Sequence, residues 1–256
     1  MSRALWAARG RLGRVGTPFH YFLTTPSTND VAATLAEQGL DGAVVAADTQ
    51  TAGRGRRGHE WFSPPGAGLY VSVVLVPASS AVDGLRATTL VTLAVGVALA
   101  DAVERATGLR PEIKWPNDLY LGGRKLAGIL AEAIAPGRVV VGYGINVGAM
   151  AYPPELADRA TSLETELGRV VDRTVLLVES LVAVGERYDD LLAGRFDAIL
   201  DAWRAGAPRS NGARVSWTTP AGLVSGVTAG IDEQGALLVR IGDRLERIVG
   251  GEVFWT

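Results

Sequence analysis

At PRSNG, residues 208–212, the hydrophobic period of this chain changes. Ahead of it, strand-like segments alternate with segments whose apolar residues recur every three or four positions. Behind it only short strand-like pieces remain, at 213–217, 222–231, 236–241 and 244–250, with turn residues between them and no helical spacing. Such a break divides the fold into a larger body of helices and strands and a small all-β tail. The tail, roughly 45 residues, lies near the lower size limit for independent stability, so it is expected as a small barrel packed on the body.

Within the body, residues 19–23 read as a strand, and PSTNDVAATLAEQG as a helix capped by Ser27, Thr28 or Asn29 and ended by Gly39. Strands follow at 43–47 and 68–77, and the alanines and leucines between 83 and 107 favour one long helix. Residues 112–115, 125–135 and 138–147 read as three more strands, the last two joined at Pro136-Gly137. Leu177, Leu181, Val184, Tyr188 and Leu192 place one apolar face on a helix expected to run from 172 to 206. The first fourteen residues carry four arginines and no acid. They are expected to form a frayed arm, 1–18, ahead of a body at 19–208 and a barrel at 212–256.

Composition removes several classes of function. Without cysteine there is no disulfide framework, no thiolate nucleophile and no cysteine-bearing zinc site, and with only His20 and His59 a histidine-rich metal centre is disfavoured. The apolar, uncharged run between Arg86 and Asp101 is shorter than the about 20 apolar residues a bilayer span needs. No apolar segment of signal-peptide length follows the N-terminal arginines. These features point to a reducing compartment, the cytoplasm, and to no membrane partner. The net charge of −2 gives no global attraction to nucleic acid, so any anion must be met locally.

Two local clusters supply that charge. GRGRRG, residues 53–58, sets three arginines among three glycines, so backbone N–H groups can approach a ligand while the guanidinium groups repel one another until an anion neutralises them. This loop is expected to be mobile when empty and ordered when filled. It lacks the GxxxxGK[ST] pattern of a Walker A loop, and His59-Glu60-Trp61 follows in place of a helix. The second cluster, KWPNDLYLGGRKLAGIL at 114–130, brings Lys114, Asn117, Asp118, Arg124 and Lys125 around a Trp-Pro turn and a glycine-rich hairpin. Lys125 opens an otherwise apolar strand, where a lysine is costly unless an anion pairs with it. Two cationic sites far apart in sequence suggest a clamp on phosphate; a solvated turn and ordinary Pro-Asn-Asp turn chemistry are the plainer alternatives.

GRGRRG-x-x-W, KWPNDLYL, RKLAGIL, GINV at 144–147 and GIDEQGALLV at 230–239, in that order, resemble the biotin protein ligase family from about Phe19 onward. The resemblance implies an α+β fold: a mixed, largely antiparallel sheet with flanking helices, similar to class II tRNA synthetase and lipoyl ligase cores, followed by an SH3-like β-barrel. It implies that biotin and ATP, with Mg2+, form biotinyl-5′-adenylate, and that biotin then passes to one lysine of a biotin carboxyl carrier domain of a carboxylase.

The resemblance also assigns residues. Lys125 contacts the carboxylate and phosphate oxygens, Arg56 with Arg54 closes over the adenylate, and Asp118 orients Lys125 or helps hold magnesium. Ser27, Thr28, Asn29, Gln50 and the backbone near Gly53 and Arg54 meet the biotin ring. Trp61 and Tyr70 pack beside ring and tail, with Gly128 and Gly142 leaving room. Arg57, Asn117, Trp61 and Asn146 join the adenylate site; His59 stands where members often carry arginine or lysine. Without the other motifs the Ser-Thr-Asn trio is a helix cap, Asn146 an edge-turn residue and the aromatics plain core. About 18 residues precede the first strand, too few for the helix-turn-helix of some relatives, so no DNA binding is expected. A homodimer made by joining sheets edge to edge stays open. So do a lipoate or octanoate ligase of the same superfamily and a non-catalytic biotin sensor or nucleic-acid-binding protein.

Overall fold

The computed structural model describes residues 2–149, 152–220 and 222–255. Met1 and Thr256, the outer limits of the expected arm and barrel, lie outside the described residues. In chain order the elements are α1 Ser2–Ala8, β1 Phe19–Thr25, α2 Thr28–Glu37, β2 Val44–Gln50, β3 Gly68–Leu75, α3 Gly84–Thr107, β4 Glu112–Lys114, β5 Asp118–Leu121, β6 Arg124–Ala135 and β7 Arg138–Asn146. Next come α4 Pro154–Ala157, α5 Leu163–Leu167, α6 Arg173–Leu192 and α7 Phe196–Gly206, then β8 Asn211–Thr219, β9 Gly222–Ile231, β10 Leu237–Ile241, β11 Arg244–Ile248 and β12 Val253–Trp255.

Strands β1 to β7 form one sheet in the order β1-β2-β3-β7-β6-β5-β4, parallel only between β1 and β2. Because side chains alternate along a strand, its two faces have different chemistry. Leu69, Val71, Val73 and Leu75 of β3, with Val139, Val141, Tyr143 and Ile145 of β7, face the main core beneath α3 and α6. The opposite face carries Val74 and Val140 under α2 and then turns small and polar, with Ser72, Gly142 and Gly144. Bulk on one side and its lack on the other make a floor on which a cavity can open.

Helix α3 is long and apolar enough to cross a membrane by length and composition, yet 67% of its most apolar window is buried inside the fold. Asp83 caps it by accepting from Arg86 N at 2.9 Å, and Gly108, at φ 83°, ends it. The helix expected over 172–206 is instead two. Ala193 N donates to Asp189 O and Arg195 N to Asp190 O around Gly194 at φ 70°, so the chain turns although the apolar spacing on both sides favours helix. The arm is not frayed. Leu5, Leu12 and Val15 are buried in the main core, Arg11 pairs with Glu179 at 2.8 Å, and Gly16 N donates to Gly42 O at 2.8 Å. Three buried aliphatic side chains outweigh the repulsion among the arginines.

The tail forms an antiparallel sheet in the order β11-β10-β9-β8-β12, the SH3-like unit, with β12 an extra strand beyond the four expected pieces. Its Val215, Trp217, Leu237 and Val253 join the same core cluster as α3, and Trp115 Nε1 donates to Gly235 O at 3.0 Å. Packing on the body thus gives the short unit its core, and it carries residues 251–253 to the cavity rim.

Candidate active site

A cavity of about 290 Å3 opens over the small-residue part of the sheet. Ser27, Thr28, Asn29 and Gln50 line one end; Arg56, Arg57, Lys114, Asn117, Asp118, Lys125 and Asn146 line the other; Trp61 and Gly128 lie in its wall. Gly142 and Gly144 form part of the floor and permit two close approaches: a Cβ on Gly142 would stand 2.1 Å from Asn29 Oδ1, and one on Gly144 2.3 Å from Trp61 Nε1. Gly128 faces Trp61 in the same way, at 2.9 Å. Of the expected positions, Gly53 and Tyr70 do not line the cavity. Gly53 lets the chain pass Trp61 O and Ser63, while the buried Tyr70 ring folds over Gly68 and donates to Pro64 O at 3.2 Å.

The neutral end is a hydrogen-bond network at the start of α2. Ser27 holds the N-cap position without making a side-chain cap bond, so its hydroxyl is not spent on the helix. Gln50 Oε1 accepts from Thr28 N at 2.9 Å and Oγ1 at 3.1 Å. Ser72 Oγ lies 2.7 Å from Thr28 Oγ1 and 2.5 Å from Asn29 Oδ1. All of these are uncharged donors and acceptors, suited to a neutral polar ring rather than to an anion.

The cationic end is assembled from separate elements. Residues 53–61 form a small hairpin, with Gly55 N donating to His59 O and Trp61 N to Gly53 O; Arg57, at φ 57°, is its left-handed turn residue. Arg56 leaves this hairpin to donate to Asn117 Oδ1 at 3.0 Å and Gly251 O at 3.4 Å, while Asn117 Nδ2 is spent on Ile129 O. Burial lowers the Arg56 pKa, the mark of a cation poorly served by solvent. Lys125 is fixed at its backbone, its N donating to Arg159 O and its O accepting from Thr161 N. Its ammonium lies 2.8 Å from Asp118 Oδ1 and 5.5 Å from the centre of the Trp61 ring. That ion pair lacks hydrogen-bond alignment, so Asp118 Oδ1 is buried and unsatisfied, as is Trp61 Nε1.

Lys114, named in the second cluster but given no role by the sequence, is buried in this wall. It faces Tyr120 and Trp255 at 4.9 and 5.3 Å from their ring centres, and burial lowers its pKa. Arg54 differs from the other loop arginines. It pairs with Asp30 at 2.6 Å and Glu132 at 3.2 Å, and the hydrogen bond it donates to Asp30 leads in raising its pKa. Arg54 thus lines the cavity with its guanidinium paired to two carboxylates. Sequence reasoning missed Ser72, Glu132 and Gly144. Only Gly144 carried a signal, as the first residue of GINV.

Among the described residues no group of three or more His, Asp or Glu side chains is placed to hold a metal ion. Asp118 turns toward Lys125, its Oδ1 2.8 Å from the ammonium.

The fold and this two-ended cavity define a ligase that activates an acid with a nucleotide. The chain belongs to the biotin/lipoate A/B protein ligase family, whose model matches residues 21–149, and residues 212–255 match the biotin protein ligase C-terminal domain. It is 37% identical over 241 residues to the biotin--[acetyl-CoA-carboxylase] ligase of Paracoccus denitrificans, covering 90% of this chain and 98% of that protein. It is 34% identical over 246 residues to the bifunctional ligase/repressor BirA of Bacillus subtilis, covering 93% and 74%. The biotin protein ligase from Aquifex aeolicus, solved in complex with biotin and ATP, superimposes with a TM-score of 0.80 at 29% identity, over 93% of this chain and 98% of that one.

Proposed function

We propose that the chain condenses biotin with ATP to biotinyl-5′-adenylate and transfers the biotinyl group to one lysine of a biotin carboxyl carrier domain of a carboxylase, in the cytoplasm. In the first step a carboxylate oxygen attacks the α-phosphorus and the bond to pyrophosphate breaks. In the second the acceptor amine attacks the acyl carbon, AMP leaves with the bonding pair, and an amide forms. The observation that carries this reading is a neutral hydrogen-bonding end and a cationic end within one cavity. Two anions must meet at the α-phosphate, so catalysis rests on fixed positive charge. Lys125 meets the carboxylate and phosphate oxygens, Asp118 aims it, and Arg56, braced by Asn117, covers the adenylate. Ser27, Thr28 and Asn29 meet the ureido ring, and Trp61 walls the tail. All act by charge and positioning, with no covalent enzyme intermediate.

The test is incubation with biotin and Mg-ATP, without acceptor, followed by mass spectrometry of bound nucleotide, with lipoate and octanoate in parallel. Biotinyl-adenylate alone is expected. An adenylate formed only from the other acids would move the reading to lipoyl chemistry, and no adenylate from any acid would overturn it.

A further inference from the structure

Glu132 stands on β6 outside the cavity lining, yet its Oε2 accepts two donors from opposite sides. One is Asn29 Nδ2, at 2.6 Å, from the neutral end of the cavity. The other is Arg54 Nη2, at 3.2 Å, from the root of the arginine hairpin. The second carboxylate on that guanidinium, Asp30 Oδ1 at 2.6 Å, belongs to α2, adjacent to Asn29. The amide of Asn29 is thus defined at both ends, by Glu132 at Nδ2 and by Ser72 at Oδ1.

We infer that Glu132 is a positioning residue that couples occupancy of the neutral end to closure of the arginine hairpin. A ligand that fixes Asn29 holds the Glu132 carboxylate where Arg54 needs it, and the hairpin root is then clasped between β6 and α2. Side-chain exposures of 42% for Arg54, 53% for Asp30 and 33% for Glu132 leave each pair within reach of water, so each bond is weak and opens readily. A clasp of that strength can be released for product to leave. Positive coupling follows because the ligand that orders one partner removes part of the entropy cost of ordering the other. Arg54 thereby becomes a fastener of the hairpin, leaving charge neutralisation to Arg56 and Lys125. This inference rests on the reading of the neutral end as the ring pocket.

The experiment compares wild type, Glu132→Gln and Arg54→Met as full chains. Glu132→Gln keeps an acceptor for Asn29 and loses the ion pair. Three quantities are read: tryptic cleavage within residues 54–57 with and without biotin, the dissociation rate of preformed biotinyl-adenylate, and KM for biotin against kcat. In wild type, biotin is expected to slow cleavage. In Glu132→Gln that protection shrinks, adenylate leaves about two- to fivefold faster, the range an exposed ion pair supports, and KM rises more than kcat falls. Arg54→Met loses the Asp30 pair as well, so it should release adenylate at least as fast as Glu132→Gln, and adding Glu132→Gln to it should speed release no further. Wild-type retention and protection in both single variants, or additive effects in the double variant, would overturn the coupling. A wild type that forms no biotinyl-adenylate would instead overturn the reading beneath it.

Discussion

Lys114 and Lys125 are both cations in one cavity wall, and their surroundings give them different duties. Lys125 has a carboxylate at 2.8 Å and an open side toward the cavity; Lys114 is buried among rings. Removing the first should remove charge at the reacting centre. Lys125→Ala is expected to lower the single-turnover rate of adenylate formation by about 10²–10³-fold, the loss typical of one preorganised donor, with biotin affinity by calorimetry changed far less. An equal loss in both would place Lys125 in ground-state binding instead. Burial holds the Lys114 ammonium below the ordinary lysine range, so its charge is present at low pH and is lost earlier than a free lysine's as pH rises. If Lys114 grips the triphosphate, KM for ATP should climb with pH on the alkaline side, and Lys114→Arg should flatten the climb. The stability sign is the opposite. The unfolded chain binds the proton more tightly, so folding gains as pH rises from the lowered value to the ordinary one. A pH-independent KM in wild type would remove Lys114 from phosphate binding.

At the level of elements, the cavity exists because β7 spends alternate positions on Gly142 and Gly144. A Cβ at Gly142 meets Asn29 Oδ1 in the middle of a fixed network, so Gly142→Ala should weaken biotin binding by about ten- to a hundredfold, from an overpacking cost of about 1–3 kcal/mol. Unchanged affinity by calorimetry would mean that Asn29 does not touch the ring. The same elements show what the sequence could disclose. The apolar runs of β3 and β7, the cap and C-terminal glycine of α2, the alanines and leucines of α3, and the period change at 208–212 are local signals, and each led to the element found. The cationic cluster was legible for the same reason, since GRGRRG and KWPND are short and dense. Glu132 and Ser72 were not, because each sits in an ordinary strand and acquires its role only through Asn29, 103 and 43 residues away. The break at Gly194 was hidden by apolar spacing that continues across it. Leu5, Leu12 and Val15 were hidden among arginines whose charge suggested solvent.

Across the whole molecule, the basic residues are distributed in a way that matches the chemistry proposed for the cavity. Of 25 lysines and arginines only two are lysines, Lys114 and Lys125, and both line the cavity. An acyl-adenylate acylates amines: nitrogen attacks the acyl carbon, AMP departs, and the proton goes to water. Guanidinium groups stay protonated at any working pH and do not compete. A surface without lysine therefore leaves escaping intermediate no ε-amine on the enzyme outside the cavity, and the acceptor lysine meets no rival there. Arg56 is held by Asn117 and by Gly251 of the tail, so Arg56→Gly should open the closure where body and tail meet and release adenylate. In that variant, intact-mass and peptide analysis should find labelling of an added lysine-rich protein and none on enzyme side chains outside the cavity. Placing lysine at the exposed Arg110 or Arg244 in the same background should create a labelled site there. If those lysines stayed unmodified while the added protein was labelled, the scarcity of lysine would have no protective effect. If the added protein also stayed unlabelled, Arg56 would not be what retains the intermediate.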